Sequence, residues 1–590
     1  MTDKSHLDRP GLLLLCAALL SAVSIWGSPF LYDYLNSGDY LVPMLHNVDP
    51  QLFAGDQVVT AMARFRSAFY VLLALAFRLA HVAPQRAEWW FYLLYVISKL
   101  LLMASIFSVT RALKKGPWLF VIFAAWCCHQ KPALLGSVTL FMPYLTHNEV
   151  ALMLGLFAVA CLFRQRLVLF WLLAGIAVLI HVIVGLQFIL CCLPPLVLRR
   201  QFSKGFFSGL TLFVISCVIF WLTLTPSPLS APEGQVFFAT IGRTGHISLF
   251  NQGWLNWFGF VAFLALALSA HARFTKDDPR CAFLAQAAIF GTLFGIALSL
   301  IAVFSGVLKL SLFQPMRIFL WVTLFCFLML AVAVIEAFKT LRTAGIVISA
   351  ALTLTVLNSI LAPFLAFLGA SYLVADRWIT ASAPQRGEAL DKLLRVVVAL
   401  SALGIATAWA LGTRQPVNSL RSPVLLLPSL ICLLALYLSR VRFEPQVLLA
   451  GPLLVYCLGA ISVYRYHYYV RWTDPHWDAI KRWAQVHTQQ SERFLTPPED
   501  AGFRLVSLRS TASERLPRLV WVAPRAYLDN KQAADCAAQG YAPEGCHLDY
   551  LFALARGWKC NYVVTKGPCD AKVTPLFHSG SYSIVKVPEN

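Results

Sequence analysis

Long apolar runs separated by short polar stretches make up the first 470 residues of the chain. Runs such as 252–271 and 282–305 reach the roughly twenty helical residues that cross the hydrocarbon core of a bilayer. Because lipid offers backbone groups no hydrogen-bond partners, these runs are predicted to be helices. At about twenty residues per crossing, the pattern predicts about twelve to fourteen crossings. They are 11–31, 88–112, 117–129, 149–163, 167–198 (counted as two), 205–224, 252–271, 282–308, 316–338, 344–374, 393–412, 423–439 and 446–465.

Two shorter apolar runs leave the number of crossings open. Residues 68–83 carry Arg78 in a short apolar stretch, and they form either a tight crossing or a helix lying on the membrane. Residues 133–146 have the composition of a re-entrant segment. If 68–83 cross fully, the basic residues at 111–115 fall on the outer side, against the positive-inside rule. A surface position for 68–83 keeps them inside.

The composition changes sharply after Trp472, where polar residues become frequent. Helical patterns cover 475–490, 530–540 and 548–557, and short β-rich runs cover 493–496, 503–508, 518–522, 562–565 and 582–587. The chain therefore divides into a transmembrane domain, 1–470, with a first outer loop at 29–67, and a soluble α/β domain, 471–590, of ordinary size. The predicted fold class is an all-α polytopic membrane protein with a small C-terminal α/β domain.

Composition excludes a soluble protein and changes the meaning of the net charge. Hydrophobic residues are 59% of the chain and charged residues 13%, about half the usual share of charge in soluble proteins. The net charge is +20, but the basic residues lie in short clusters between apolar runs, for example at 111–115 and 273–280. That distribution is typical of topology signals and of attraction to anionic lipid headgroups, so we expect membrane lipids and no nucleic acid as partners.

Four of the 15 cysteines lie in the polar C-terminal region, and the other eleven lie in apolar segments. The four are Cys536, Cys546, Cys560 and Cys569. Their even number predicts two disulfides, with sequence neighbours paired, and a location outside the cytoplasm. A zinc site is the alternative, although the spacing is not that of a zinc ribbon, and no metal site is predicted.

Carboxylates are concentrated in the first outer loop. Asp33, Asp39, Asp49 and Asp56 lie between residues 29 and 56, together with His46. Carboxylates beside a low-dielectric slab can serve as general bases or metal ligands. The alternative is that these aspartates cap helices and make turns, as Asp49 before Pro50 could.

Several short motifs resemble those of GT-C superfamily glycosyltransferases and of bacterial multi-pass proteins with a GT-C-like core. They are the segment Asp-Pro-Gln-Leu-Phe-Ala-Gly-Asp at 49–56, Pro-Tyr-Leu-Thr-His-Asn-Glu-Val at 143–150, a span ending near His181, Trp483, Arg-Phe-Leu-Thr-Pro-Pro at 493–498, and Gly-Phe-Arg at 502–504. The resemblance implies a GT-C-like helical domain in a bacterial inner (plasma) membrane. It also implies transfer of a sugar from a polyprenyl-phosphate carrier to an acceptor outside the cytoplasm.

The resemblance also implies roles for individual residues. Asp39, soon after the first span, matches the catalytic base, and Asp56 is a second carboxylate that positions the acceptor or binds a metal. Arg317, at the start of a predicted span, is the first candidate for the donor phosphate, and Arg64 and Arg66 are alternatives. A guanidinium matches phosphate oxygens, but an Arg at this place is equally expected to reach for lipid headgroups.

Other residues and other classes of protein stay open. His147 and His181 lie in or next to apolar runs, where an ionisable residue indicates function by default, although a buried neutral imidazole bonded to a neighbouring helix is commoner. A transporter or flippase of a lipid-linked precursor is the second class, and a non-catalytic envelope-assembly protein is the third. The sequence does not settle the cofactor, including a divalent metal ion, or the oligomeric state.

Overall fold

The computed structural model describes residues 35–63, 67–127, 135, 145–223, 247–305, 313–340, 344–345, 347–349, 351–352, 361–382, 474–516, 524–542, 545–569 and 573–589. The predicted crossings 11–31, 393–412, 423–439 and 446–465 lie outside these residues, as do Arg64, Arg66 and most of 133–146.

The described part of the N-terminal region is helical. Its α-helices are α1 (Leu35–Val48), α2 (Gln57–Ala63), α3 (Ala68–Leu79), α4 (Ala87–Ala112), α5 (Pro117–Cys127), α6 (His147–Phe163), α7 (Leu167–Ile180), α8 (Val182–Leu198), α9 (Lys204–Thr223), α10 (Trp254–Ala270), α11 (Pro279–Ser305), α12 (Phe319–Thr340) and α13 (Leu361–Ser382). Short 3-10 turns at Pro84–Arg86 and Pro315–Ile318 lead into α4 and α12.

Four of the described helical segments are long and apolar enough to cross a membrane. They are Pro84–Ala112, Trp254–Thr275, Pro279–Ser305 and Pro315–Thr340. Helices α2 and α3 are bent by 106° relative to each other. They make a fifth candidate if the two together are one broken span. Helices α6 to α9 are apolar but shorter. The run 167–198 contains two helices, as predicted, because the backbone becomes extended at His181 (φ −147°, ψ 95°).

Helix α12 lies in the interior of the helical domain, and its residues from Phe319 to Ile335 are all buried. The Trp321 ring packs 4.7 Å from the Phe188 ring and leaves no room for a side chain at Gly155. A Cβ on Gly155 would lie 2.1 Å from the Trp321 ring, so glycine lets α6 approach α12 closely.

Other helices expose apolar faces to the outside of the bundle. Such faces carry Leu93, Ile97, Leu100 and Leu101 on α4, Val214, Ile215, Val218 and Ile219 on α9, and Leu293 and Ile301 on α11. Large continuous apolar surface of this kind is rare on soluble monomers. These faces fit a lipid environment.

Charged residues pair at one end of the helical domain. Lys115 lies 3.3 Å from Asp278 and 3.4 Å from Glu336, joining the turn after α4 to α11 and α12. Arg273 and Asp376 pair at 3.0 Å, which joins α10 to α13. The basic clusters that the sequence separates are therefore gathered at one end, here called the charged end. The opposite end is next to the C-terminal domain.

The C-terminal domain is built on a five-stranded mixed sheet in the order β2-β1-β5-β7-β6. Its strands are β1 (Arg493–Leu495), β2 (Ser510–Thr511), β5 (Tyr562–Lys566), β6 (Phe577–Ser579) and β7 (Tyr582–Lys586), and its helices are α14 (Pro475–His487), α15 (Phe503–Ser507), α16 (Pro524–Ala538) and α17 (Leu548–Gly557). A separate two-stranded ladder joins β3 (Tyr541–Ala542) to β4 (Gly545–Cys546). Strand β1 pairs in parallel with β2 and β5, and β7 is antiparallel to both its neighbours.

Most predicted elements of this domain are confirmed, and one is wrong. The β-rich runs 493–496, 562–565 and 582–587 are strands, and 548–557 is a helix with those bounds. The run 503–508 is not a strand but the short helix α15, because the carboxylate of Glu514 accepts the backbone N–H groups of Gly502, Phe503 and Arg504. That carboxylate satisfies the first turn of a helix, which a local sequence pattern does not show. The run 518–522 lies outside the described residues.

The predicted cysteine pairing is wrong. The disulfide joins Cys546 to Cys569, and Cys536 and Cys560 are free thiols. The chain at Pro568 runs beside β4, where its carbonyl accepts the N–H of Cys546 at 2.9 Å, so Cys546 and Cys569 come together with Cα atoms 4.7 Å apart. Pairing follows this contact between distant segments and not the order of the cysteines along the chain.

Candidate functional site

Two histidines from different helices stack inside the helical domain. The rings of His147 and His181 lie with centroids 4.4 Å apart and planes inclined by 14°. His147 begins α6 and His181 separates α7 from α8, and both side chains are buried. The two residues named separately from the sequence therefore share one site.

The local sequence explains why both histidines lie at helix starts. Thr146 caps α6, since its hydroxyl accepts the N–H of Glu149 at 3.1 Å. His181 caps α8 with its own ring, because Nδ1 accepts the N–H of Val184 at 3.4 Å. When this ring is neutral, its proton is accordingly on Nε2. Ser67 donates to the carbonyl of Ile180 at 2.7 Å, which satisfies a backbone group freed by the break between α7 and α8.

Two tyrosines from the predicted outer loop and the run that follows it complete the cluster. The Tyr70 hydroxyl lies 2.9 Å from Nδ1 of His147. The Tyr40 ring stacks on Tyr70 with centroids 5.4 Å apart and meets His147 edge-on at 4.7 Å. We call Tyr40, Tyr70, His147 and His181 the aromatic–histidine cluster. Neither tyrosine was predicted, because nothing in a local pattern joins residues 40, 70 and 147.

An ion pair lies close to this cluster. Lys99 Nζ lies 2.7 and 3.0 Å from the two carboxylate oxygens of Glu149, and each side chain is 1% exposed. Glu149 is in the first turn of α6, where the helix dipole favours a negative charge. Lys99 lies near the middle of α4, about 20 Å from its end at Ala112 at a rise of 1.5 Å per residue. This lysine was not predicted as a site residue, although an ionisable residue near the centre of the predicted span 88–112 indicates function by default.

Asp39 belongs to the helix that brings Tyr40 to the cluster. The predicted outer loop 29–67 contains the helices α1 and α2, and the backbone of Asp39 lies in α1 directly before Tyr40. Helix α1 is fixed by burial of Leu41 and Leu45 in one apolar core with Phe53 and Tyr70. The first carboxylate candidate therefore lies on an element that packs beside the buried polar groups.

His46 and Asp49 hold the turn after α1. The Nδ1–H of His46 donates to the carbonyl of Leu52 at 2.7 Å, and Asp49 accepts the N–H of Gln51 at 3.0 Å. Arg78 donates to the carbonyls of Asn47 and Val48, the last residues of α1. These contacts correspond to the turn-making alternative.

Asp56 is buried in an ion-pair network. One oxygen accepts the N–H groups of Val58 and Val59, and the other accepts Nε–H of Arg504 at 2.9 Å. Arg504 also donates to Glu514 at 3.0 Å, and both Asp56 and Arg504 side chains are 1% exposed. Burial alone would lower the pKa of the Arg504 guanidinium, but Asp56 and Glu514 outweigh that effect and raise it. Both oxygens of Asp56 are therefore engaged by groups of the protein itself, as in a structural carboxylate.

The predicted phosphate-binding Arg317 lies at the same end of the helical domain as His181. Its side chain is half-buried, in the turn before α12 whose other residues are buried. Gln187 of α8 donates to the carbonyls of Phe313 and Gln314, and the Trp321 indole donates to the carbonyl of Val184. These bonds place the start of α12 against the start of α8. Arg64 and Arg66 lie outside the described residues.

Comparison with protein families and with curated proteins finds no match to this chain.

The side chains that could bind a metal ion are spread over the described residues. Within the ranges that the structure describes, no group of three or more histidine, cysteine, aspartate or glutamate side chains is arranged to hold a metal ion. The aromatic–histidine cluster instead offers imidazole and phenol groups in apolar surroundings. Such groups exchange protons and hydrogen-bond to hydroxyls or phosphate oxygens.

Proposed function

We propose that this chain is a membrane glycosyltransferase of the GT-C type, which transfers a sugar from a polyprenyl-phosphate carrier to an acceptor outside the cytoplasm. The observation that supports it is the packing of α1, which carries Asp39, against His147, whose ring stacks on His181, at the end of the bundle nearest the C-terminal domain. That arrangement brings a carboxylate-bearing helix to a buried polar cluster.

We propose an orientation with the C-terminal domain outside the cytoplasm and the charged end inside, in a bacterial inner membrane. The Cys546–Cys569 disulfide favours an oxidising compartment for that domain. The basic residues gathered around Lys115 and Arg273 favour a cytoplasmic charged end. Exposed Trp89 and Trp254, at helix starts distant from the charged end, fit an outer aromatic belt.

In the proposed reaction the acceptor hydroxyl attacks the anomeric carbon of the donor sugar. The bond from that carbon to the phosphate oxygen breaks, polyprenyl phosphate leaves with the bonding electrons, and the hydroxyl proton passes to Asp39. Arg317 balances the charge that develops on the leaving phosphate. His147, oriented by Tyr70, and His181 hydrogen-bond to the sugar or acceptor hydroxyls.

A transporter or flippase of a lipid-linked precursor is the second candidate. The Lys99–Glu149 pair favours it, because a buried ion pair near the middle of a long apolar helix is typical of coupled transport. The interruptions at His181 and between α2 and α3 also resemble the broken helices of transporters.

The test incubates purified protein with a panel of polyprenyl-phosphate sugars and measures release of polyprenyl phosphate. A parallel assay in liposomes measures movement of the same lipids between leaflets. Release that depends on Asp39 supports the glycosyltransferase. Movement of the lipid without release of polyprenyl phosphate supports the transporter. Absence of both signals across the panel supports the non-catalytic class.

A further inference from the structure

One arginine of the C-terminal domain reaches into the loop that follows α1. The planar guanidinium of Arg504 donates Nε–H to Asp56, Nη1–H to Glu514, and Nη2–H to the carbonyl of Thr511. Glu514 and Thr511 belong to the C-terminal domain, whereas Asp56 precedes Arg504 by 448 residues. We call Asp56, Arg504 and Glu514 the clasp.

Each carboxylate of the clasp also fixes a helix start. Asp56 accepts the N–H groups of Val58 and Val59 at the start of α2, and Glu514 accepts three N–H groups at the start of α15. The guanidinium thus joins two capped helix starts, one from each domain. Lysine could not replace it, because a single ammonium lacks the planar set of donors that meets three separate acceptors.

Apolar contacts around the clasp extend to the helix that carries Asp39. Leu505 and Leu508, on and directly after α15, are buried in one core with Leu41 and Leu45 of α1. Leu516 packs on Met62 of α2. The surface of the C-terminal domain that contains Arg504 is therefore one wall of the core that holds α1.

We propose that Arg504 is a positioning residue, through which the C-terminal domain fixes α1 and α2, and so holds Tyr40 beside His147 and sets the place of the α1 backbone that carries Asp39. The C-terminal domain is then a constituent of the candidate active site and not an independent binding module. The catalytic consequence rests on the proposed function, whereas the mechanical one does not. Hydrogen exchange tests the mechanical part separately.

The sharpest variant is Asp56→Asn in the full-length protein. The side-chain oxygen of the asparagine can still cap α2. Its NH2 group, however, is a donor and meets another donor, Nε–H of Arg504. The Arg504–Glu514 pair is unchanged and keeps the C-terminal domain folded. We expect amide exchange in 35–63 to become about tenfold faster, which corresponds to about 1.4 kcal/mol, and exchange in 524–589 to stay unchanged. Arg504→Met also removes the pair with Glu514, so it should speed exchange in 35–63 and in 474–516 together.

Two controls separate docking from general destabilisation. Arg509 is buried in the same domain, and its hydrogen bonds to the side chain and carbonyl of Thr488 and to the carbonyl of Gln485 stay within that domain, so Arg509→Met should speed exchange in α14 and not in 35–63. Arg515 pairs with Glu499 and Asp535 at the surface, and Arg515→Met should change neither. Unchanged exchange in 35–63 for Asp56→Asn would overturn the proposal.

Release of polyprenyl phosphate gives the second readout. We expect Asp56→Asn to lower kcat about tenfold with the KM for the carrier lipid unchanged, as displacement of a catalytic helix would. Wild-type kcat in a variant whose 35–63 segment exchanges faster would overturn the positioning role. If the wild type releases nothing, the proposed function fails, and the exchange data alone decide whether the clasp holds α1.

Discussion

Lys99 and Glu149 form a 2.7 Å ion pair in which both side chains are buried, although they lie on different helices of an apolar bundle. A buried pair of this kind contributes little to stability compared with apolar residues of the same size, whereas removal of one partner is costly. Removal of both charges therefore tests whether the pair has a function, because it restores stability without restoring the pair.

The first prediction concerns the Lys99–Glu149 pair. Lys99→Met leaves a buried carboxylate without its partner and should lower the free energy of unfolding by about 3–5 kcal/mol. The double variant Lys99→Met/Glu149→Gln should recover most of that loss, because no buried charge remains. We expect sugar transfer by the double variant to stay well below that of the wild type. Thermal unfolding measures the stability, and polyprenyl phosphate release measures the transfer. Full activity in the stable double variant would show that the pair is only structural.

The second prediction concerns the hydroxyl of Tyr70, which lies 2.9 Å from His147. Tyr70→Phe keeps the ring that stacks on Tyr40 and removes this hydrogen bond, at a cost of about 1 kcal/mol in stability. We expect transfer to fall more than stability does, because the imidazole loses the group that orients it. Tyr550→Phe, which loses a surface hydrogen bond to the Cys536 carbonyl, is the matched control. Equal activities of the two variants would remove Tyr70 from the site.

The third prediction concerns orientation. Lys276 is exposed at the charged end, and Lys531 is exposed on the C-terminal domain. In intact spheroplasts a membrane-impermeant maleimide should label Lys531→Cys above the wild-type background and should label Lys276→Cys only after the membrane is broken. The reverse pattern would place the disulfide domain in the cytoplasm.

The fourth prediction concerns the free thiols. Burial raises the pKa of the Cys560 thiol to about 12, whereas Cys536 is half-exposed. At pH 8 only about one Cys560 in ten thousand is then a thiolate, so alkylation of the folded protein should reach Cys536 first. Labelling of Cys560 should rise about tenfold per pH unit towards pH 12, because the thiolate is the reactive form. Rapid labelling of Cys560 at pH 8 would contradict its burial, and recovery of Cys560 in a disulfide peptide would contradict the observed pairing.

The sequence predicted what depends on local pattern. Apolar runs predicted the long helices around Lys99 and Trp321, and β-rich runs predicted β1, β5 and β7, because the length and composition of such runs are visible in the local sequence. The break within 167–198 was predicted as two helices, and its place at His181 follows from the extended backbone there.

What the sequence did not predict depends on contacts between distant residues. The strand predicted at 503–508 is a helix because Glu514 caps it, and Cys546 pairs with Cys569 because the chain returns beside β4. The partner of Asp56 is 448 residues away, which no local pattern indicates. The sequence indicated His147 and His181 separately as candidates, but it did not predict that their rings stack.

The most direct measurement of the central claim compares wild type with Asp39→Asn in lipid nanodiscs, under single turnover, with a polyprenyl-phosphate sugar that the wild type accepts. Loss of a general base should slow polyprenyl phosphate release by about 100- to 10,000-fold while carrier binding and the unfolding temperature stay close to those of the wild type. Release at the wild-type rate by a correctly folded Asp39→Asn protein would contradict the account.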